Sequence, residues 1–224
     1  MCGRFLISAT PDAVAARFGL AAAPEIEPRW NLAPTQLAPV IRSSSHGLRS
    51  LDLLQWGLVP HWSKDPTIGN RMINARAETA AEKPSYRVPL RQRRCLVPSN
   101  GFYEWKREGD RKQPYCIRAA EGTEHEGLIA LAGLWECWRG GEQPLETFTI
   151  LTTSPNSVVS PIHDRMPVII QPKDYNLWLD PHNEDVESLA PVLGPAPDDL
   201  LRAYPVSRHV NRPANDDASC IDPV

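Results

Sequence analysis

The residue with the most distinctive chemistry is Cys2, which directly follows the starting methionine. A side chain this small at position 2 favours removal of Met1, and the new N-terminus is then a 1,2-aminothiol. Its α-amine has an ordinary pKa of about 8, against about 10.4 for a lysine, so a useful fraction is neutral at physiological pH, and the thiol beside it titrates near ~8.5. An aldehyde meeting this pair can condense with the amine to an imine, after which the thiol adds to the same carbon and closes a five-membered thiazolidine. Ring closure is intramolecular and so avoids the entropic cost of a bimolecular step, an advantage of several orders of magnitude in rate. An internal cysteine cannot do this. The competing reading makes Cys2 a small buried residue opening a strand, CGRFLIS.

The other cysteines, Cys95, Cys116, Cys137 and Cys220, make the total odd. They are widely spread, with no C-x-x-C pair and no Cys/His spacing of a zinc site, so neither a disulfide framework nor a structural metal is expected. The start MCGRFLISATPD lacks the layout of a secretory signal, and no apolar run approaches the ~18 residues of a membrane span. A cytosolic protein with reduced thiols and no membrane contact is expected. A net charge of −3 and a pI near 6.1 argue against a general polyanion-coating protein. Any nucleic-acid site must be local, and its candidate cations are Arg4, Arg71 and Arg76 in RMINARAET, the run Arg87, Arg91, Arg93 and Arg94, and Arg165. Plain solvation is the alternative for the run.

The elements that must position these groups are short. Twenty-three prolines in 224 residues break the chain often, which disfavours a helical bundle and favours strands joined by defined loops. One helix is well signalled, with Thr10 as N-cap, Pro11 in the first position, Val14 and Phe18 on one face and Gly19 as the stop. A second is expected from near Pro172 through Leu177 to Leu179, and a third after Asn183. Strands are expected in LDLLQWGLVP, in QPYCIRAA after its proline, in LIALAGLWECW, in ETFTILTTSP and in MPVIIQP. Gly109 and Asp110 should close a hairpin between GFYEW and YCIR. The expectation is one α+β domain over residues 1–224, dominated by a curved, barrel-like mixed sheet with short flanking helices. Beyond Pro205 the chain is too polar for a core segment, yet PVSRHVN should pack against the domain.

Eight segments, MCGRF, WNLAPTQ, WGLVPHW, MINARAET, GFYEWK, TTSPN, IHDRMPVII and PVSRHVN, run in this order along nearly the whole chain. In them the sequence resembles the SOS response-associated peptidase (SRAP) family, whose members crosslink to abasic DNA. The resemblance implies that Cys2 is the crosslinking nucleophile and that Asn74, Glu104 and His163 surround it. Glu104 suits proton transfer to and from the α-amine, provided its pKa is tuned by burial or neighbours; a surface pair with Lys106 is the plainer reading. His163 suits opening of the sugar hemiacetal to the aldehyde, or else is a hydrogen-bonded core histidine. Asn74, with donor and acceptor but no charge, suits orienting the N-terminus or a sugar oxygen.

The resemblance further implies that Arg4, Arg76 and Arg165 hold phosphates flanking the lesion, with structural ion pairing as the alternative. Trp62 is the candidate wedge for base stacking, although Ser63 stands where the family often has a second tryptophan. Trp56 and Trp105 read as core. The expected partner is single-stranded DNA carrying an abasic site, bound by a monomer without metal or organic cofactor, in the cytoplasm and on the nucleoid when engaged. Other readings stay open: weak lyase activity by β-elimination from the imine, a thiol peptidase acting through Cys2, or a non-covalent single-strand binding module whose attachment is only salt-sensitive.

Overall fold

The expected first helix forms as read. In a computed structural model that describes residues 2–123 and 127–224, α1 (Pro11–Phe18) starts at Thr10, whose hydroxyl accepts from Ala13 N, and ends at Gly19 with φ 66°. Val14 and Phe18 are buried, and Phe18 stacks on Tyr175 at 5.5 Å. Most of the remaining order is strand: β1 (Phe5–Ile7), β2 (Arg29–Leu32), β3 (Leu37–Ser43), β4 (Arg49–Trp56), β5 (Asn74–Arg76), β6 (Arg94–Ser99), β7 (Gly101–Glu108), β8 (Arg111–Ala119), β9 (Ile129–Trp138), β10 (Leu145–Thr153), β11 (Met166–Pro167), β12 (Ile169–Ile170) and β13 (Leu201–Pro205). Short helices α2 (Ala77–Ala80), α3 (Arg87–Gln92) and α4 (Tyr175–Leu179) flank them.

Strands β10, β4, β3, β6 and β9 close into a ring, because β9 pairs back onto β10. Closure leaves these strands without free edges on the ring. The junction between β10 and β4 is parallel, the others antiparallel, so the barrel-like mixed sheet is confirmed. Beyond the end of β4, β10 takes β5 in parallel, with Ile150 opposite Asn74. A second sheet, β13-β8-β7-β1-β2, is antiparallel throughout. One apolar cluster draws on both sheets, and Phe5 of β1 meets Trp56 of β4 edge to face at 5.1 Å across them.

Two glycines matter for placing the site. Gly57 has φ 126°, and a Cβ there would meet the Gly69 carbonyl oxygen at 2.5 Å. That approach ends β4 at Trp56, short of the expected Pro60, and folds residues 58–73 back so that Leu58 N–H donates to Met72 O and Asn74 is delivered to β10. Gly109, at φ 60°, opens the two-residue turn between Glu108 and its partner Arg111. This is the hairpin expected from the sequence.

The second expected helix is a 3-10 turn, Pro172–Asp174, leading into α4. The third is only the 3-10 stretch Glu187–Val192, with Pro191 inside it denying an α-helix one backbone donor. The tail contributes more core than its polarity suggests: Val206, Val210 and Cys220 are buried with Leu6, Tyr103 and Cys116 in a satellite cluster. No helix among the described residues is long and apolar enough to cross a membrane.

The basic run also departs from expectation, because half of it is structural. Arg94 is 5% exposed, and its guanidinium donates to the carbonyls of Leu90, Arg91, Trp178, Asp180 and Asn183. Arg93 donates to the buried carboxylate of Glu136 at 2.8 Å. Only Arg87 and Arg91 face solvent. Arg94→Met keeps the apolar stem and strands five carbonyls, so it should cost on the order of 3 kcal/mol. Urea unfolding measures this, and a loss under about 1 kcal/mol would mean that water replaces the guanidinium.

Candidate functional site

Cys2 precedes β1, whose pairing with β7 sets Phe5 opposite Phe102 and Leu6 opposite Gly101. Tyr103 N–H then donates to Arg4 O at 3.0 Å. Continuing that register brings Glu104 beside the segment that begins with Cys2. Asn74, at the start of β5, donates from Nδ2 to Cys2 O at 2.8 Å. Two sheets thus converge on the first residues of the chain. The other end of the same carboxamide, Asn74 Oδ1, is buried and has no hydrogen-bond partner among the described residues. A buried acceptor without a donor is costly, and such groups are exceptional unless a ligand or reacting group uses them.

Cys2 itself is fully buried, and its thiol lies 3.8 Å from Arg4 O. Burial pushes the thiol pKa well above its ordinary range, and the negative charge of Glu104 pushes the same way. Glu104 is 2% exposed. Its carboxyl is raised by burial, against which the charge of His163 works.

His163 reaches the site from the loop between β10 and β11, its Nε2 4.0 Å from Glu104 Oε2. Its Nδ1 accepts the backbone N–H of Arg165 at 3.0 Å. In the neutral ring that bond favours the proton on Nε2, toward Glu104, against the pull of a carboxylate on Nδ1. The exposed carboxylate of Asp164 also stands 3.0 Å from Nδ1. With a side chain 26% exposed, His163 is at a surface and is not a core histidine.

Of these groups Glu104 and His163 line a groove of about 680 Å³, with Arg4, Trp105, Arg107 and Lys112 among its other residues; Cys2, fully buried, and Asn74 are not in its lining. Arg4 holds one wall: Nη1 donates to Asn31 Oδ1 and Val210 O, both at 2.9 Å. Its guanidinium lies over Trp105 at 6.0 Å, whose Nε1 donates to Asn211 Oδ1 at 2.8 Å. Asn31 is buried and donates to the carbonyls of Val210, Arg212 and Asn215. The segment after Pro205 is therefore built into the groove.

The expected site residues divide. Cys2, Asn74, Glu104 and His163 come together, and Arg4 lines the groove with Glu104 and His163. Arg165 makes a bidentate pair with Glu78 at 2.7 and 2.8 Å and donates to Thr152 O. Arg76 is exposed at the end of β5. Trp62 is 51% exposed on a loop fastened at both sides, by His61 to Glu136 at 3.1 Å and by Trp138 Nε1 to Ser63 O at 2.7 Å. Sequence reasoning missed Trp105, Arg107 and Lys112 as groove residues. The hairpin signal could have found the last two, since Arg107 and Lys112 pair directly across it.

Known proteins resemble this chain over most of its length. The family model described as SOS response associated peptidase (SRAP) matches residues 1–213. The Abasic site processing protein YoqW of Bacillus subtilis is 42% identical, with 99% of each chain covered. The Abasic site processing protein HMCES of Gallus gallus is 34% identical over 88% of this chain and 66% of its own length. A crystal structure of a protein from Bacteroides thetaiotaomicron superposes with a TM-score of 0.88 at 29% identity, covering 100% of both chains.

Proposed function

This chain belongs to the SRAP family, and we propose that it captures abasic sites in single-stranded DNA by forming a thiazolidine between Cys2 and the sugar aldehyde. The observation that carries the reading is the gathering of Asn74, Glu104 and His163 around a buried Cys2, with Glu104 and His163 also lining an open groove. Its relatives' names, which speak of abasic site processing, support the substrate.

The steps follow from the groups. Removal of Met1 frees the Cys2 α-amine, and Asn74 holds the adjacent carbonyl so that the amine has a fixed origin. His163, with Nε2–H facing the groove, donates to the ring oxygen of the closed sugar and favours the open aldehyde. The neutral amine attacks C1′, Glu104 takes the ammonium proton, and the carbinolamine loses water to give the imine. The Cys2 sulfur then adds to C1′ and its proton ends on the nitrogen, closing the ring. A thiol kept protonated by burial and by Glu104 does not compete for the aldehyde as a thiolate, which puts the amine first.

The same protonated thiol weighs against a thiol peptidase, which needs Cys2 as a thiolate. Lyase chemistry is a side path: an imine not yet closed acidifies C2′ and permits β-elimination of the 3′ phosphate. Ring closure removes it.

Intact-protein mass spectrometry tests the proposal under denaturing conditions, with an oligonucleotide carrying one abasic site. The expected product is the chain without Met1 plus the oligonucleotide minus one water. A processed chain that gives no adduct overturns the reading. Arg76, exposed two residues after Asn74, should contact a phosphate: Arg76→Ala should weaken single-strand binding and reduce the salt slope by about 0.7, with crosslinking at saturating DNA unchanged. Titrations across salt concentrations measure this, and an unchanged slope removes Arg76 from the interface.

A further inference from the structure

Outside the groove, three ligating side chains of different kinds meet in the C-terminal segment. His209 Nε2 lies 2.9 Å from Asp217 Oδ2, and Cys220 joins them, the three ligand atoms all within 4.8 Å of one another. Each is fixed from behind. Asp217 Oδ1 accepts from Ser219 N and Oγ, leaving Oδ2 for His209. The Cys220 thiol rests on Asn215 O at 3.3 Å, and Asn215 Nδ2 stands 3.1 Å from His209 Nδ1. Outer partners of this kind orient the ligands of metal sites.

We propose that His209, Asp217 and Cys220 bind a zinc ion through Nε2, Oδ2 and Sγ, with a water completing the shell. A mixed nitrogen, oxygen and sulfur set suits zinc and not magnesium or calcium, which take oxygen alone. Thiolate and carboxylate together balance the charge of the ion. The side chains of His209 and Asp217 are 37% and 56% exposed, giving the ion access and the water its place, while buried Cys220 anchors the inner side. Ligands sharing one zinc at ~2.0–2.3 Å stand about 3.3–3.8 Å apart, so the widest pair must close by about 1 Å. Binding releases the Cys220 proton to solvent and moves the imidazole proton from Nε2 to Nδ1, from which the Asn215 amide, also donating to His209 O, must draw back.

The spacing His-x7-Asp-x2-Cys matches no paired Cys/His template, which is why the sequence pattern points away from a metal. The site also has a structural consequence. Val210 and Asn211, which hold Arg4 and Trp105, lie between its ligands, so the ion would pin that wall of the groove.

The test uses the full chain, stripped with a chelator and then given Zn²⁺ or Co²⁺ alone. One zinc per chain is expected by native mass spectrometry, and cobalt should give a thiolate-to-metal charge-transfer band. Cys220→Ser should abolish the band, Cys220→Ser and His209→Ala should each weaken zinc binding at least about tenfold, and Cys2→Ala should change neither. X-ray absorption at the zinc edge of the unmutated chain should show one sulfur among nitrogen and oxygen ligands, a readout independent of whether the variants fold. No retained zinc, a sulfur-free shell, or a band lost with Cys2 and not with Cys220 overturns the proposal.

Discussion

Cys2→Ala should lower the yield of adduct that survives denaturation by ~10³-fold or more, the advantage lost when ring closure has no thiol. The variant still presents an α-amine, because alanine at position 2 also permits removal of Met1. It should therefore form the imine, which borohydride reduction traps and denaturation otherwise hydrolyses. The two readouts separate the nucleophiles: a trapped adduct without a stable one assigns the first bond to nitrogen and the seal to sulfur. Strand cleavage should rise in the same variant, since an unsealed imine stays open to β-elimination. A stable adduct in Cys2→Ala would remove the thiol from the chemistry, and failure of both adducts would show that the amine does not make the first bond without the thiol. A chain that retains Met1 should give no stable adduct, because its amine lies one residue from the thiol and cannot close a five-membered ring on it.

How far the sequence carries toward this site depends on whether a signal is local. Thr10, Pro11 and Gly19 act on backbone groups a few residues away, and α1 forms where they place it. The β7–β8 hairpin is equally local, with its turn chemistry in Gly109 and Asp110. Strands β3 and β6 were not legible because Pro39 and Pro98 lie inside them, opposite Leu53 and Ala130. Proline reads as a breaker, yet it is tolerated where the ladder does not need its missing N–H. Strand β5 has three residues and exists only because β10 extends past β4 to receive it.

The same division holds in the site. The aminothiol could be read from position 2 alone, and the family resemblance supplied Asn74, Glu104 and His163. Their contacts could not be read, because the pairing of β1 with β7 and of β5 with β10 makes neighbours of residues 72 and 102 positions from Cys2. Arg165 shows the limit most clearly. Its charge was legible, but its partner Glu78 is 87 positions away, and a phosphate there must displace or share a bidentate pair.

Glu104→Gln should slow adduct formation by ~10²–10⁴-fold, the usual reach of a general acid-base group, while DNA affinity changes little. The amide is nearly the same size and keeps the hydrogen-bonding oxygen, so the groove is preserved while the proton acceptor is lost. The pH profile distinguishes a chemical role from a supporting one. In the native chain the rate should rise as Glu104 ionises, at a pH above the ordinary carboxylate range because burial raises its pKa, and rise again as the α-amine loses its proton. The variant should keep only the second limb. Stability should move the other way. A carboxyl whose pKa is higher in the folded chain favours folding in acid and costs stability once the pH exceeds its folded value. Removing the charge should thus raise the Tm at pH 7 to 8, by about 2–4 °C for each kcal/mol relieved, with the gain vanishing below about pH 4 where both states hold the proton. Slower chemistry in a more stable protein is the signature of a group kept in an unfavourable place for its reactivity. Equal losses of rate and affinity, with Tm unchanged or lowered, would make Glu104 a structural residue and leave the proton transfer to His163 or to water.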